Sequence, residues 1–216
     1  MKALAINGSP RKAGNTEILL EHVLAPLEAA GWDTELVQVG GKEIRGCLAC
    51  GQCMKKKDMH CSQTKDIFNE VMGKMALADA LILGSPTYFT DVTAELKALL
   101  DRSGFVALAN DCAFAGKIGS AVVAGRRGGA IHVFDTINHL FQFSQMIIPG
   151  ANYWNLGRAL DKGEVIKDAE GLANMHKLGE IIAWLGSAMK PHLDSFPKKS
   201  GHVQDEARAK RVEKQL

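Results

Sequence analysis

The sequence predicts an α/β fold, a doubly wound five-stranded parallel sheet with helices on both faces. Two observations carry that prediction. Short apolar runs of strand length alternate with segments whose apolar residues recur at helical spacing, the pattern of parallel strands joined by helical crossovers. Three of those runs also end abruptly in loops rich in glycine, serine or proline, as strands do where they reach the rim of a sheet.

Residues 3–6 form the first buried strand, which Asn7-Gly8-Ser9-Pro10 cannot continue. From Asn15-Thr16 onward Ile18, Leu19, Val23, Leu27 and Ala30 share a helical face, with Pro26 expected to kink or shorten the helix and Gly31 to stop it. Residues 34–39 read as the second strand, broken by Gly40-Gly41. Ile67, Val71, Met72 and Met75 mark a short helix, with Thr64 and Asp66 as candidate caps. Residues 80–84 are the clearest buried strand. Val92, Leu96, Leu99 and Leu100 make a helix that Thr90 or Asp91 is expected to cap. A fourth strand over 118–124 precedes a helix carrying Val133, Phe134, Ile137, Leu140 and Phe141. Residues 146–149 are expected to be the short fifth strand, and Leu172 to Met189 the closing helix. One domain is therefore expected over residues 1–190, with a cysteine loop at 46–62, followed by a charged C-terminal tail at 191–216, solvated or without structure.

A chain of 216 residues with 46% apolar content has ample material for one core. A formal charge of +2, with basic residues spread along the chain, argues against nucleic acid as a partner. Residues 2–6 run straight into a glycine turn without a signal-peptide pattern, and no stretch approaches the roughly 18 apolar residues of a membrane span. No membrane association and a reducing, cytoplasmic setting are expected, in which clustered thiols bind metal or do redox work.

Four of the five cysteines, Cys47, Cys50, Cys53 and Cys61, fall in one short stretch. Four soft ligands on one loop suit an iron–sulfur cubane or a tetrahedral zinc. Structural zinc more often takes cysteines in separated pairs, which favours the cluster; a loop holding neither is the third alternative. Cys112 lies outside the motif and reads as a small hydrophobe.

The three strand exits carry the remaining chemistry. Residues 9–16, Ser-Pro-Arg-Lys-Ala-Gly-Asn-Thr, set hydroxyls, an amide and two cations before a helix start, the composition of a phosphate-monoester cradle, although Asn15 or Thr16 would also serve as a plain cap. The loop matches neither the dinucleotide fingerprint nor the nucleotide-triphosphate loop, and a flavin mononucleotide phosphate suits it better than ATP. Ser85-Pro86-Thr87-Tyr88-Phe89 offers a rigid turn and two aromatic rings to a flat heterocycle, or to a core or interface. Residues 124–129, Ala-Gly-Arg-Arg-Gly-Gly, let backbone approach a ligand closely or simply make a flexible connection.

Asn7-Gly8-Ser9-Pro10-Arg11, the helix start at Asn15-Thr16, the compact cysteines, residues 84–89, Leu96-Lys97-Ala98 and Asp101-Arg102 together resemble the NADPH-dependent FMN reductase-like flavodoxin superfamily, and within it the iron–sulfur flavoproteins. The resemblance covers roughly residues 1–190. It implies a flavodoxin-like fold and FMN held at all three exits: Ser9, Arg11, Asn15, Thr16 and Lys12 on the phosphate, Ser85, Pro86, Thr87, Tyr88 and Phe89 along the isoalloxazine, Gly125, Arg126 and Gly128 on its other side. Cys47, Cys50, Cys53 and Cys61 match the family's cluster motif and would carry a [4Fe-4S] cluster. The resemblance also implies a homodimer or homotetramer with the cysteine loop near a neighbouring subunit's flavin, and it brings Trp154 close to the flavin.

Such a protein passes electrons between NAD(P)H or a ferredoxin and an acceptor, a small molecule or a protein. No side-chain acid–base residue is required, because the cofactors carry the chemistry. The alternatives are a cluster-free NAD(P)H-dependent FMN or quinone reductase and a zinc-stabilised binding module.

Overall fold

A computed structural model describes residues 1–198; most of the charged tail therefore lies outside the described residues. The strands are β1 (Lys2–Asn7), β2 (Asp33–Gln38), β3 (Ala80–Pro86), β4 (Ile118–Gly125) and β5 (Leu156–Arg158). They form one sheet in the order β2-β1-β3-β4-β5, and every neighbouring pair is parallel. The order reverses direction at β1, so the exits of β1 and β3 open beside each other at the switch point where ligands of such sheets bind.

The helices are α1 (Asn15–Ala29), α2 (Gln52–Lys56), α3 (Phe68–Leu77), α4 (Ala94–Ala109), α5 (Ala130–Phe143) and α6 (Ala169–Met189), with 3₁₀ turns at Glu164–Lys167 and Lys190–Ser195. They cover the sheet on both faces, as the alternating pattern predicts. Leu19, Leu20, Val23 and Leu27 of α1 pack with Met175, Leu178 and Ile182 of α6 against Ala3, Ala5, Ile82 and Val122. The opposite faces of the same strands present Leu4, Ile6, Leu81, Leu83, Ala121 and Val123 to residues of α3, α4 and α5. The two cores are the two sides of one pleat, which is why β3 over residues 80–84 and β4 over residues 121–124 read as continuous apolar runs.

Gly179 lets α6 lie directly on α1, since a Cβ there would overlap the Val23 carbonyl and stand 2.7 Å from Pro26 Cγ. Pro26 sits inside the last turn of α1, and Ala30 N still donates to its carbonyl at 3.0 Å. The helix runs on through Pro26 to Ala29, lacking only the N–H of residue 26 in its ladder. Half-buried Lys117 donates to the Ala76 carbonyl at 2.9 Å and to that of Ala78, satisfying orphan acceptors at the end of α3.

Two expected features move. Residues 146–149 do not form the fifth strand: Ile147 makes one isolated bridge to Ile118, and the strand proper is Leu156–Arg158, paired with Val123–Gly125. The chain advances nine residues from Ile147 to Leu156 while β4 advances five. The surplus bulges outward from Pro149, which has no N–H for a ladder. Buried Asn174 holds this excursion, accepting from Tyr153 N at 2.8 Å and donating to the Trp154 carbonyl at 3.1 Å. The third expected helix begins at Ala94, not near Val92, with Thr93 at its N-cap, so neither Thr90 nor Asp91 caps it. The Thr93 hydroxyl donates instead to the Gly8 carbonyl at 2.8 Å. Among the described residues no helix is long and apolar enough to cross a membrane.

Candidate functional site

The loop leaving β1 is shaped from within. Ser9 N donates to Asn7 Oδ1 at 2.9 Å, and Arg11 N donates to Ser9 Oγ at 3.2 Å. Gln38, at the end of β2, donates to the Gly40 carbonyl at 2.8 Å and to that of Ser9. The β2 exit passes so close that a Cβ on Gly40 would overlap the backbone of Gly8 and Ser9. α1 then starts after Gly14 with no side chain capping it. A long helix whose first N–H groups lack a side-chain cap, entered through a loop carrying Arg11 and Lys12, is an anion-binding geometry.

Ser9, Arg11, Asn15, Thr16, Thr87 and Arg126 line one cavity of about 170 Å³, together with Pro86 and Tyr88. All three strand exits thus reach one cavity. Thr87 anchors the second loop, its N–H donating to the Ala124 carbonyl at 2.8 Å. Its Oγ1 is buried and has no hydrogen-bond partner among the described residues. A buried hydroxyl left unpaired in a polar cavity is costly unless a ligand completes it.

The other predicted residues stand differently. Ser85 is buried behind the cavity, donating to the Pro86 carbonyl at 2.8 Å and accepting from Thr93 N at 3.3 Å. Asn15 lines the cavity while its amide is engaged elsewhere, donating to the Asp161 carbonyl at 2.9 Å and accepting from Val165 N at 3.2 Å. A Cβ on Gly125 would stand 3.3 Å from Thr87 Oγ1, so the third loop passes directly against the second. Lys12 and Gly128 are exposed, and Phe89, with 95% of its surface free, projects from the loop tip. Sequence reasoning missed Ala159 and Leu160, which complete the wall; both follow a strand too short to be recognised.

A wider cavity of about 610 Å³ opens elsewhere, between α5 and the excursion before β5, lined by Phe134, Asn138, His139, Gln142, Tyr153 and Trp154 among others. Trp154 packs here against Phe134, with ring centroids 5.7 Å apart, and is not among the residues of the Ser9 cavity. Volume alone would favour this space. The converging helix start, cations and unpaired hydroxyl favour the smaller one.

Residues 46–62 leave β2 and form a loop closed at its neck. Gln63 Nε2 donates to the Gly46 carbonyl at 2.9 Å, and Asn69 clasps Cys61, accepting from its N–H at 2.8 Å and donating to its carbonyl at 2.9 Å. The loop contains the short helix α2 and four left-handed residues, Ala49, Gly51, Lys57 and Met59. Three of the four are not glycine, a concentration of backbone strain that the surrounding contacts must hold.

Cys47, Cys50, Cys53 and Cys61 line one cavity of about 30 Å³ with Leu48, Ser62, Arg102 and Phe105. All four are free thiols, Cys47 and Cys50 exposed and the other two partly buried. Among the described residues no three metal-binding side chains meet closely enough to hold a single ion. Ser62 Oγ, 3.3 Å from Cys50 Sγ, and the Gln52 backbone draw the Cys50 thiol below its ordinary pKa. Burial pushes Cys53 up. His60 stays exposed, with its Nδ1 2.6 Å from the Asp58 carbonyl.

The pattern in residues 1–161 matches the family described as NADPH-dependent FMN reductase. An iron–sulfur flavoprotein of Methanocaldococcus jannaschii is 35% identical over 190 residues, covering 85% of this chain and 96% of the relative. Among solved structures, RosB with bound 8-demethyl-8-formylriboflavin-5'-phosphate superposes with a TM-score of 0.69 at 20% identity, over 99% of this chain and 87% of that one. A flavodoxin from the domain Archaea gives 0.57 at 16% identity, over 87% and 99%. At such identities these two neighbours establish a flavodoxin-like fold alone. The family match and the relative establish more: the chain belongs to the NADPH-dependent FMN reductase family, in its iron–sulfur flavoprotein branch, and is an FMN-dependent oxidoreductase.

Proposed function

We propose that this oxidoreductase passes electrons between NAD(P)H or a ferredoxin-type donor and a small-molecule or protein acceptor, through FMN at the β1, β3 and β4 exits and a [4Fe-4S] cluster on the cysteine loop. The observation that carries the flavin assignment is the Ser9 cavity, where an uncapped helix start, Arg11 and the unpaired Thr87 hydroxyl converge. Ser9, Arg11, Thr16 and the N–H groups of α1 would hold the phosphate, with Lys12 and Asn15 at its margin. Pro86, Thr87, Tyr88 and Phe89 would flank the ring system, with Ser85 supporting them from behind, and Gly125, Arg126 and Gly128 would border its other side.

The donor set fits a cluster better than a single ion. Four cysteines surround one cavity without converging on a point, and a cubane takes its thiolates around its periphery whereas zinc draws four ligands to one centre. When bound, FMN exchanges a hydride or single electrons and a cluster one electron at a time, so the pair joins two-electron to one-electron partners. The protein's own residues supply binding, orientation and field. The exposed Tyr88 and Phe89 tip and the half-open cysteine loop suit a homodimer or homotetramer in which one subunit's loop meets another's flavin.

A visible spectrum of anaerobically purified protein tests the reading. Flavin bands with broad iron–sulfur absorbance are expected. Absence of flavin bands overturns the FMN site, and flavin without the broad absorbance leaves a cluster-free flavin or quinone reductase. Cys50→Ser is expected to lower iron content and to suppress flavin reduction by ferredoxin more than by NAD(P)H.

A further inference from the structure

Arg102 lies at the centre of the cysteine loop's neck and belongs to neither cofactor's expected ligand set. Its side chain is fully buried, and so, within 1%, is that of its partner Asp66, with Nη1 and Oδ2 2.5 Å apart. The guanidinium donates from Nη1 to the Arg45 carbonyl at 3.1 Å and from Nη2 to the Gln63 carbonyl at 3.1 Å. Those two residues flank the loop at its two ends. Asp66 completes the neck, accepting from the N–H of Arg45 at 2.9 Å and of Phe68 at 3.2 Å. Beneath, the guanidinium stacks on Phe68, 4.0 Å from the ring centroid. One buried group on α4 therefore fixes where the loop leaves the core and where it returns.

Arg102 also lines the cavity shared by Cys47, Cys50, Cys53 and Cys61. Its Nε is buried without an acceptor among the described residues, although the two terminal nitrogens of the same fork are satisfied. A buried charged donor left unpaired is expensive, and the side chain that carries it borders the cavity lined by the four cysteines, where anionic sulfur would gather. Four thiolates and a cluster carry net negative charge, and each reduction adds to it. Hydrogen bonds to the sulfurs and nearby charge are among the levers that set a cluster's potential.

We propose that Arg102 is the positioning residue of the cysteine centre, its fork fixing both ends of the loop and its Nε–H reserved for a sulfur of the bound cluster. The inference rests on the cluster reading for its second half and on the chain's own hydrogen bonds for its first. A cationic donor at the sulfurs favours the more negative, reduced state, so it raises the cluster's potential and slows loss of iron.

The test compares anaerobically loaded wild type with Arg102→Lys, which keeps the charge but loses the fork, and with the neutral pair Arg102→Gln/Asp66→Asn, which leaves no buried charge uncompensated. FMN titration controls for folding. With FMN affinity within about twofold of wild type, both variants are expected to release iron to a chelator at least about tenfold faster and to show a more negative cluster midpoint potential by EPR-monitored titration. Wild-type potential and release rate in a variant that binds FMN overturn the proposed sulfur contact. Amide exchange of the metal-free proteins over residues 45–63 reads the positioning role separately, with faster exchange expected in both variants and unchanged protection overturning it. Wild type that takes up no iron at all counts against the cluster reading and the sulfur contact, and leaves the exchange measurement to decide the neck. Should the neutral pair fail to bind FMN, Arg102→Lys alone decides on the same readouts.

Discussion

At the scale of single residues, Thr87 separates the needs of the free and flavin-bound protein. Its Oγ1 is buried and unpartnered beside Gly125, so the hydroxyl costs free energy until something in the cavity completes it. Thr87→Val, nearly the same shape, is expected to leave the apoprotein as stable as wild type or about 1 kcal/mol more stable, while weakening FMN about tenfold. Thermal unfolding without FMN and fluorescence titration with it check the two opposite signs. Arg11 makes a complementary prediction, since its charge would serve the phosphate and not the ring. Arg11→Ala is expected to raise the dissociation constant for FMN about tenfold or more and to leave that for riboflavin unchanged within twofold. Equal losses for both flavins would remove Arg11 from the phosphate. The residue types at these positions were legible in the sequence, because hydroxyls, an amide and two cations stand together before a helix start. Their division of labour was not: Asn15 spends its amide on Asp161 and Val165, and Ser85 spends its hydroxyl on Pro86 and Thr93, partners distant in sequence or hidden by the turn.

At the scale of elements, helical periodicity and apolar runs located four of the five strands and all the long helices, since burial on one or both faces imposes those periods directly. The fifth strand failed because its strongest apolar run, residues 146–149, pairs only once, whereas Leu156–Arg158 contains a glycine and is three residues long. Packing between elements was equally hidden. Gly179 is one of three glycines in α6 and looks like a weak point of the helix, yet its missing side chain is what admits the Val23 turn of α1. Gly179→Ala is expected to destabilise the protein by about 1–3 kcal/mol through overpacking, despite alanine's better helix propensity, and to leave FMN affinity nearly unchanged. A lower urea midpoint at constant slope is the observation that checks it.

For the whole molecule, the Asp66–Arg102 pair links the cysteine loop to acid stability. Burial raises the Asp66 pKa, but the Arg102 guanidinium and the N–H groups of Arg45 and Phe68 outweigh it, and the carboxyl sits below its ordinary value. The folded state therefore holds its proton less tightly than the unfolded chain. The stabilisation is fully present above the unfolded pKa of about 4 and is lost as pH falls through the lower folded value. In acid titrations below about pH 4, Arg102→Gln/Asp66→Asn is expected to show a shallower loss of stability than wild type, measured by denaturant midpoints at each pH. An identical slope would place the acid sensitivity elsewhere.

The sequence by itself determined four strands of the sheet, the layering of helices, the three loops at the strand exits and the concentration of thiols in one segment. Each of these follows from local pattern, since burial period, turn chemistry and ligand spacing are written in neighbouring residues. Only the tertiary structure decided that the three exits meet at one cavity, that the fifth strand lies beyond an outward excursion, and that Arg102 and Asp66 tie the neck of the cysteine loop. The physical reason is distance along the chain. Arg102 reaches partners 36 to 57 residues away, and a buried charge takes its meaning from what surrounds it after folding.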